Sequence, residues 1–222
     1  MEYLLHTNGL TKQYGRHKAV NAVNIHIRQG DIYGLIGRNG AGKTTILKMI
    51  SGLAAPTEGE FSLFGKTGKE AYQYMSRIGT LIEAPGVYPN MSAAENLKLK
   101  CLAMRVRKKG VSEELLKTVG HSNADKKKVK HFSLGMKQRL GIALALVGDP
   151  DLVILDEPIN GLDPQGIAEI RETLSRLNKE KNITFIISSH ILEELSKIAT
   201  NYGIIHDGVL LQEMTREELL AK

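Results

Sequence analysis

Cysteine and tryptophan are nearly absent from this sequence. A single thiol, Cys101, among 222 residues cannot form an internal disulfide, which excludes a small bridge-stapled extracellular fold and fits a reducing compartment. Cys101 itself reads as a small apolar packing residue of a helix. With 4 Phe, 7 Tyr and no Trp, surfaces for aromatic stacking are scarce. Long apolar runs are missing too. The longest, IALALVG at Ile142–Gly148, falls well short of the roughly 18 residues that span a bilayer. The start, MEYLLHTNGL, lacks the basic head and apolar run of a secretory leader, and neither repeats nor low-complexity tracts stand out. These absences predict a soluble, cytoplasmic chain, or one held at a membrane by other chains.

What remains is ordinary globular material, 42% hydrophobic and 24% charged, ample to bury a core. The net charge is +6, and two basic runs contribute to it, Arg105–Lys109 (RVRKK) and Lys126–Lys130 (KKKVK). Such a balance suits nucleic acid, anionic lipid or an anionic small ligand, and equally a pair of solvated faces.

Along the chain, Val23–Ile27 alternates as a half-buried strand does, and the apolar run Asp31–Ile36 leads straight into a glycine-rich turn. Thr44–Gly52 then has helical spacing, with Gly52 at the stop. Arg77–Ile82 reads as a strand. From Gly86 to about Leu146 the character is helical, with a capping box at Ser92–Glu95 and another helix start at Ser112. Leu152–Leu155 is wholly apolar, as in a central parallel strand. Next come a helix over Ile167–Leu177 and a strand over Ile183–Ile187. A helix over Ile191–Ala199 has Ile191, Leu192, Leu195 and Ile198 on one side. Ile204–Ile205 and Val209–Leu211 flank a hairpin turn at Asp207-Gly208, and Thr215–Glu218 caps a last short helix. Strands alternating with helices predict a parallel α/β sheet, interrupted once by an all-helical segment.

The sharpest motif is GRNGAGKTT, Gly37–Thr45. Gly37, Gly40 and Gly42 let backbone amides, including those of Arg38, Asn39 and Ala41, curl around phosphate without a Cβ in the way. The helix that follows points its positive end at the anion. Lys43 supplies a mobile cation to the β- and γ-phosphates, and the Thr44 hydroxyl, followed by Thr45, offers a hard oxygen to Mg2+. The second element is LVILDEP, Leu152–Pro158. An apolar strand ending in two carboxylates places Asp156 where it can hold Mg2+ through water, and Glu157 where it can polarise an attacking water.

Between them lies FSLGMKQR, Phe132–Arg139, and here the chain resembles the nucleotide-binding domains of ABC transporters. Their signature, written LSGGQ-x-QR, matches at Ser133 and Gly135 and departs at Leu134 and Met136. The resemblance covers essentially the whole chain and implies a P-loop NTPase (RecA-like) α/β core with an N-terminal antiparallel β layer and an inserted helical subdomain. The core would occupy 1–85 and 147–222, and the helical part 86–146. It also implies that Tyr14 stacks on adenine, that Ser133 and Gly135 bind the γ-phosphate of ATP held by a second subunit, and that Gly161-Leu162-Asp163 meets the opposite site. His190 would contact the γ-phosphate and serve catalysis with Glu157 and Lys43.

One departure narrows the resemblance. At the end of the strand entering the helical segment the family carries Gln; here LIEAPGVYPN, Leu81–Asn90, puts Glu83 there, a further candidate ligand for Mg2+. This loop is similar to that of the ATPase subunits of bacitracin-resistance and lantibiotic-immunity exporters. The implied protein is an ATP-hydrolysing subunit, dimeric with a second ATPase subunit, using ATP and Mg2+. Bound to transmembrane permease subunits at the cytoplasmic face of the membrane, it would export a peptide antibiotic, with no nucleic acid partner expected. Two other classes stay open. A non-transport ABC ATPase acting on nucleic acid or ribosomes would suit the +6 charge, and a module that binds ATP without turnover is the second; Glu157 and His190 speak against the latter.

Overall fold

The computed structural model describes residues 3–121 and 127–221; Lys126, the first of the second basic run, lies outside them. Among the described residues the chain forms two sheets. The first is antiparallel: β1 (Leu5–Tyr14) pairs with β2 (His17–Val23), with the short β3 (His26–Ile27) and with β5 (Glu58–Leu63), which pairs with β6 (Lys66–Thr67). The second is six-stranded. Its parallel strands are β4 (Ile32–Ile36), β7 (Ile78–Leu81), β8 (Leu152–Asp156), β9 (Thr184–Ser189) and β10 (Asn201–His206), with β11 (Val209–Thr215) antiparallel at the edge, in the order β11-β10-β4-β9-β8-β7. β8 and β9 are buried along their whole length, because layers cover both faces, and their sequences are correspondingly apolar.

One face of this sheet packs with α1 (Lys43–Ile50) and the antiparallel layer, through Ile46, Leu47, Met49 and Ile50 against Leu5, Leu35 and Ile186. The other packs with α6 (Pro164–Lys181) and the helical segment, α3 (Ala93–Ala103), α4 (Val111–Thr118) and α5 (Leu134–Ala145). The short helices α2 (Gly68–Tyr72), α7 (Leu192–Ser196) and α8 (Arg216–Leu220) complete the chain. Among the described residues no helix is long and apolar enough to cross a membrane.

The capping box at Ser92 and Glu95 forms in both directions, and Asp207 and Gly208 take the positive φ (45° and 77°) of a tight hairpin turn. Three local readings change. The Val23–Ile27 strand breaks between β2 and β3, although Val23, Ile25 and Ile27 all stay buried. Asn24 leaves the ladder to accept from the Gly9 amide, and the Ile25 amide donates to Thr7 Oγ1. Ser112 does not cap α4. Gly110, at φ 78°, is the cap residue, and Ser112 is buried in the first turn. The helix after β9 is only Leu192–Ser196, and Ile191 and Leu192 face outward. The Ile191 amide donates to Ser189 Oγ, which holds that stretch extended until α7 begins.

Gly79 shows how closely β7 and α5 approach: a Cβ there would overlap the Ala145 carbonyl oxygen. Backbone cannot yield as a side chain does, so Gly79→Ala is expected to destabilise the fold by about 1–3 kcal/mol, roughly 2–10 °C in Tm for a chain of this size. Thermal unfolding followed by circular dichroism checks this, and an unchanged Tm contradicts the packing.

Candidate functional site

The loop from Gly37 to Gly42 joins β4 to α1 at the carboxyl edge of the parallel sheet, and its glycines are needed for different reasons. A Cβ on Gly37 would sit 2.5 Å from the Ile205 carbonyl oxygen, and one on Gly42, at φ 104°, 2.6 Å from that of Ala19. Gly40 has open space around it, but its φ is 81°, a region L side chains avoid. The hairpin turn braces the loop from outside: the Gly208 amide donates to Ala41 O (2.9 Å), and the Asn21 amide donates to Gly208 O (2.8 Å). No side chain caps the N-terminus of α1 and no acidic residue stands in its first turn, so its free amides and positive dipole end suit an anion.

Lys43 is buried and folds back along the loop. Its Nζ donates to Gly37 O (2.7 Å) and Arg38 O (3.2 Å) and lies 3.2 Å from Glu157 Oε1. Thr44 Oγ1 donates to Asp156 Oδ2 at 2.8 Å, and Ser188 Oγ donates to Asp156 Oδ1 at 2.6 Å. Both oxygens of this buried carboxylate are therefore held by hydroxyls. Glu157, the next residue, has φ 49°, a costly backbone for a non-glycine that persists where surrounding contacts enforce it. The contacts are visible. Its amide donates to Ser188 Oγ (2.9 Å), and its carbonyl accepts from Gln138 Nε2 (3.4 Å). His190 Nδ1 lies 2.9 Å from Oε2. Oε1 is buried, with Lys43 in ion-pair range but no aligned hydrogen bond. Glu157 also lines the P-loop cavity, which measures about 210 Å³ and is bounded by Asn39, Gly40, Gly42, Lys43, Thr44 and Thr45 among others.

Other candidates lie around this centre. Tyr14, at the end of β1, presents a half-exposed ring, with Lys12 Nζ 5.2 Å from its centroid. Glu83, at φ 64°, directs its carboxylate to Lys48 Nζ at 2.6 Å and not into the cavity. Lys48 stands one helical turn after Thr44, and the hydrogen bond it donates to Glu83 raises its pKa above the usual lysine range. Ser133 caps α5, its Oγ accepting from the Met136 amide at 3.3 Å, and it is exposed. Leu134 is exposed as well, and a Cβ on Gly161 would meet its Cδ2 at 3.0 Å, while Leu162 Cδ2 stands 3.6 Å from a Cβ on Gly135. The signature loop and the Gly161-Leu162 loop thus pack on each other, and neither lines the P-loop cavity of its own chain. Asp163 caps α6 through the Gly166 amide.

Ser188, Gln138 and Lys48 escaped the sequence reading. Gln138 was in view as the first residue of the QR pair. Ser188 directly precedes Ser189 and His190, but nothing in the sequence says that its hydroxyl joins Asp156 to the Glu157 amide.

A family profile described as "ABC transporter" matches residues 20–160, a stretch that runs from β2 past Asp156 and Glu157. The chain belongs to the ABC transporter family. This ABC ATPase is 49% identical over 220 residues to the bacitracin transport ATP-binding protein BcrA of Bacillus licheniformis, covering 99% of this chain and 72% of that protein. It is 44% identical over 214 residues to the lantibiotic transport ATP-binding protein SrtF of Streptococcus pyogenes, covering 95% and 90%. Among solved structures it is similar to cbiO1 from Clostridium perfringens, part of the ABC transporter complex cbiONQ, with TM-score 0.87, 26% identity and coverage of 100% and 92%. A dimeric ATP-binding cassette in a post-hydrolysis state, bound to ADP and Pi, matches with TM-score 0.85 and 25% identity over 96% and 98%.

Proposed function

We propose that this ABC ATPase is the motor subunit of an exporter of peptide antibiotics, working as a head-to-tail dimer on transmembrane permease subunits at the cytoplasmic face of the membrane. The observation that carries the catalytic part is Glu157, which lines the P-loop cavity with its buried Oε1 3.2 Å from Lys43 Nζ. The cargo class rests on the similarity to BcrA and SrtF over nearly the whole chain.

In this reading the loop amides of Arg38–Gly42 and the N-terminus of α1 bind the phosphate chain, and Lys43 turns from the loop carbonyls to the β- and γ-phosphates. Tyr14 stacks on the adenine. Thr44 Oγ1 and Asp156 fit Mg2+, being hard oxygen donors already 2.8 Å apart; the ion, when bound, would offset charge on the phosphate oxygens. Among the described residues no group of three or more His, Cys, Asp or Glu side chains could hold a metal without such help. Glu157 takes a proton from water as the water oxygen bonds to the γ-phosphorus and the bond to the ADP oxygen breaks. His190, 2.9 Å from Glu157 Oε2, orients that carboxylate and donates to the γ-phosphate. The partner chain's signature loop, Ser133 and Gly135, closes the site, and Gly161–Asp163 line the seam. Residues 86–146 move as a unit against 1–85 and 147–222. A groove of about 390 Å³ between the 81–86 loop, α3 and α5 receives the permease.

Expression with and without a cognate permease tests the whole reading. Cells carrying both should tolerate bacitracin or a lantibiotic, and the ATPase should co-purify with the permease from detergent-solubilised membranes. No protection, together with no co-purification of the two subunits, overturns it.

Glu83 gives a sharper test. Its ion pair with Lys48 is largely solvent-exposed and so is worth at most about 1 kcal/mol. Near bound nucleotide, a carboxylate's attraction to a divalent ion and its repulsion from phosphate nearly cancel. Glu83→Gln is therefore expected to keep the fold and to hold ATP affinity within about threefold, while altering protection in cells with only a modest change in ATPase rate. Wild-type protection in both Glu83→Gln and Glu83→Ala strains would retire the coupling role.

A further inference from the structure

The two basic runs, distant in sequence, are brought to the two ends of one exposed helix, and neither takes part in the nucleotide site. Ser92, the cap of α3, forms a β-bridge with Lys128, and the amides of Val129 and Lys130 donate to Met91 O and Pro89 O. These contacts set Lys127, Lys128 and Lys130, all exposed, beside the first turn. At the other end the chain reverses through Arg105 at φ 57°, with the Arg105 amide donating to Leu102 O and the Val106 amide to Cys101 O, a Schellman closure. Arg105, Arg107 and Lys109 follow it, exposed. Among the described residues Lys108 is the member of that run with a carboxylate in ion-pair range, Glu114 at 2.9 Å.

The helix between them carries apolar residues on both sides, and the exposed Glu95 of its first turn has its carboxylate drawn back to accept from the Ser92 amide. Ala93 and Leu97 face the core, yet Leu99, Leu102 and Ala103 are exposed, Leu102 by 75%. At 100° per residue these three share one outward stripe, with Lys98 on one border and Lys100 on the other. The exposed leucines leave an apolar stripe open to a partner. Leu99, Lys100 and Ala103 also rim the groove assigned above to the permease, whereas Leu102 lies outside it.

We propose that the Leu102 edge of α3 and its two basic ends form a docking face for an anionic phospholipid leaflet, bordering the permease groove along Leu99 and Ala103. The proposal rests on the transporter reading only for its biological setting. Charge complementarity fixes the occupant. Basic side chains at both ends of an axis of about 16 Å match a sheet of anionic headgroups, and exposed leucines between lysines match the boundary between headgroup and acyl chain. A nucleic acid would use the same charges but would leave Leu102 in contact with solvent or phosphate.

Co-sedimentation of the purified chain with vesicles, without permease or nucleotide, tests this. Vesicles of 30% phosphatidylglycerol in phosphatidylcholine should retain the chain, with binding falling steeply between 50 and 500 mM salt, and pure phosphatidylcholine should not. Arg105→Gln/Arg107→Gln/Lys109→Gln should weaken retention at least about tenfold, and Leu102→Ser should weaken it severalfold, with ATPase rates unchanged in both. No retention on anionic vesicles assigns the face to protein contacts alone and overturns the proposal. So does equal retention of wild type and both variants, or preferential binding to RNA over anionic vesicles. An inactive ATPase with normal vesicle binding would instead sink the motor reading and leave this one standing.

Discussion

Glu157→Gln is expected to bind ATP with near-normal affinity and to hydrolyse it at least ~10²-fold more slowly, the usual scale for losing a general base. The amide keeps the size and most of the contacts of the carboxylate. Glu157 is positioned through its main chain, by Ser188 Oγ on its amide and Gln138 Nε2 on its carbonyl, and neither depends on the side-chain charge. What is lost is the proton acceptor at Oε1 and the attraction to Lys43. Freed from that carboxylate, Lys43 should favour phosphate, so the variant should also accumulate as an ATP-bound dimer. Single-turnover hydrolysis and sedimentation in the presence of ATP measure the two effects. Near-wild-type turnover by a homogeneous preparation would mean that another group activates the water.

Ser133→Arg should separate binding from assembly. Ser133 is exposed at the cap of α5 and is not part of its own chain's P-loop cavity, so monomeric ATP binding should remain within about twofold. Losing the cap costs about 1 kcal/mol, small beside the fold. In a dimer, however, the arginine would stand where the partner's γ-phosphate and the Gly161–Leu162 loop must meet Ser133. ATP-driven dimerisation in the Glu157→Gln background should then disappear, which sedimentation with and without ATP will show. A variant that fails to bind ATP as a monomer would place Ser133 in the wrong site.

Much of this architecture can be read from the chain because its decisive signals are local. The P-loop lies within nine consecutive residues flanked by its own strand and helix, the Ser92–Glu95 cap is a four-residue pattern, and Asp207-Gly208 is a two-residue turn. Runs such as LVILD and TFIISS declare strands buried on both faces. Less was legible where the cause is tertiary. Glu83 is held by Lys48 across a sequence separation of 35, and no pattern links them. Leu134 breaks the signature, yet it packs against Gly161, whose lack of a Cβ leaves room for it. The helical spacing of Ile191 and Leu192 misled because Ser189 ties the backbone just before α7. The left-handed backbone of Glu157 follows from three elements meeting at one residue, information absent from DEP alone.

The hydrogen bond from Gln138 to the Glu157 carbonyl has a kinetic consequence. Gln138 and Ser133 sit on the same helix end, five residues apart in sequence and about 7.5 Å along the axis. A stiff rod that short transmits displacement without loss. If Ser133 closes the partner's site as proposed, nucleotide bound by one subunit would press on the neighbour's Ser133 and, through α5, on that chain's Glu157. Each chamber would then report its occupancy to the other by leverage, with no need for a change in either P-loop. Hydrolysis should accordingly rise more steeply than first order with nucleotide concentration. The steepness belongs to the lever formed by Ser133, Gln138 and Glu157, not to the strength with which either chamber holds its ligand.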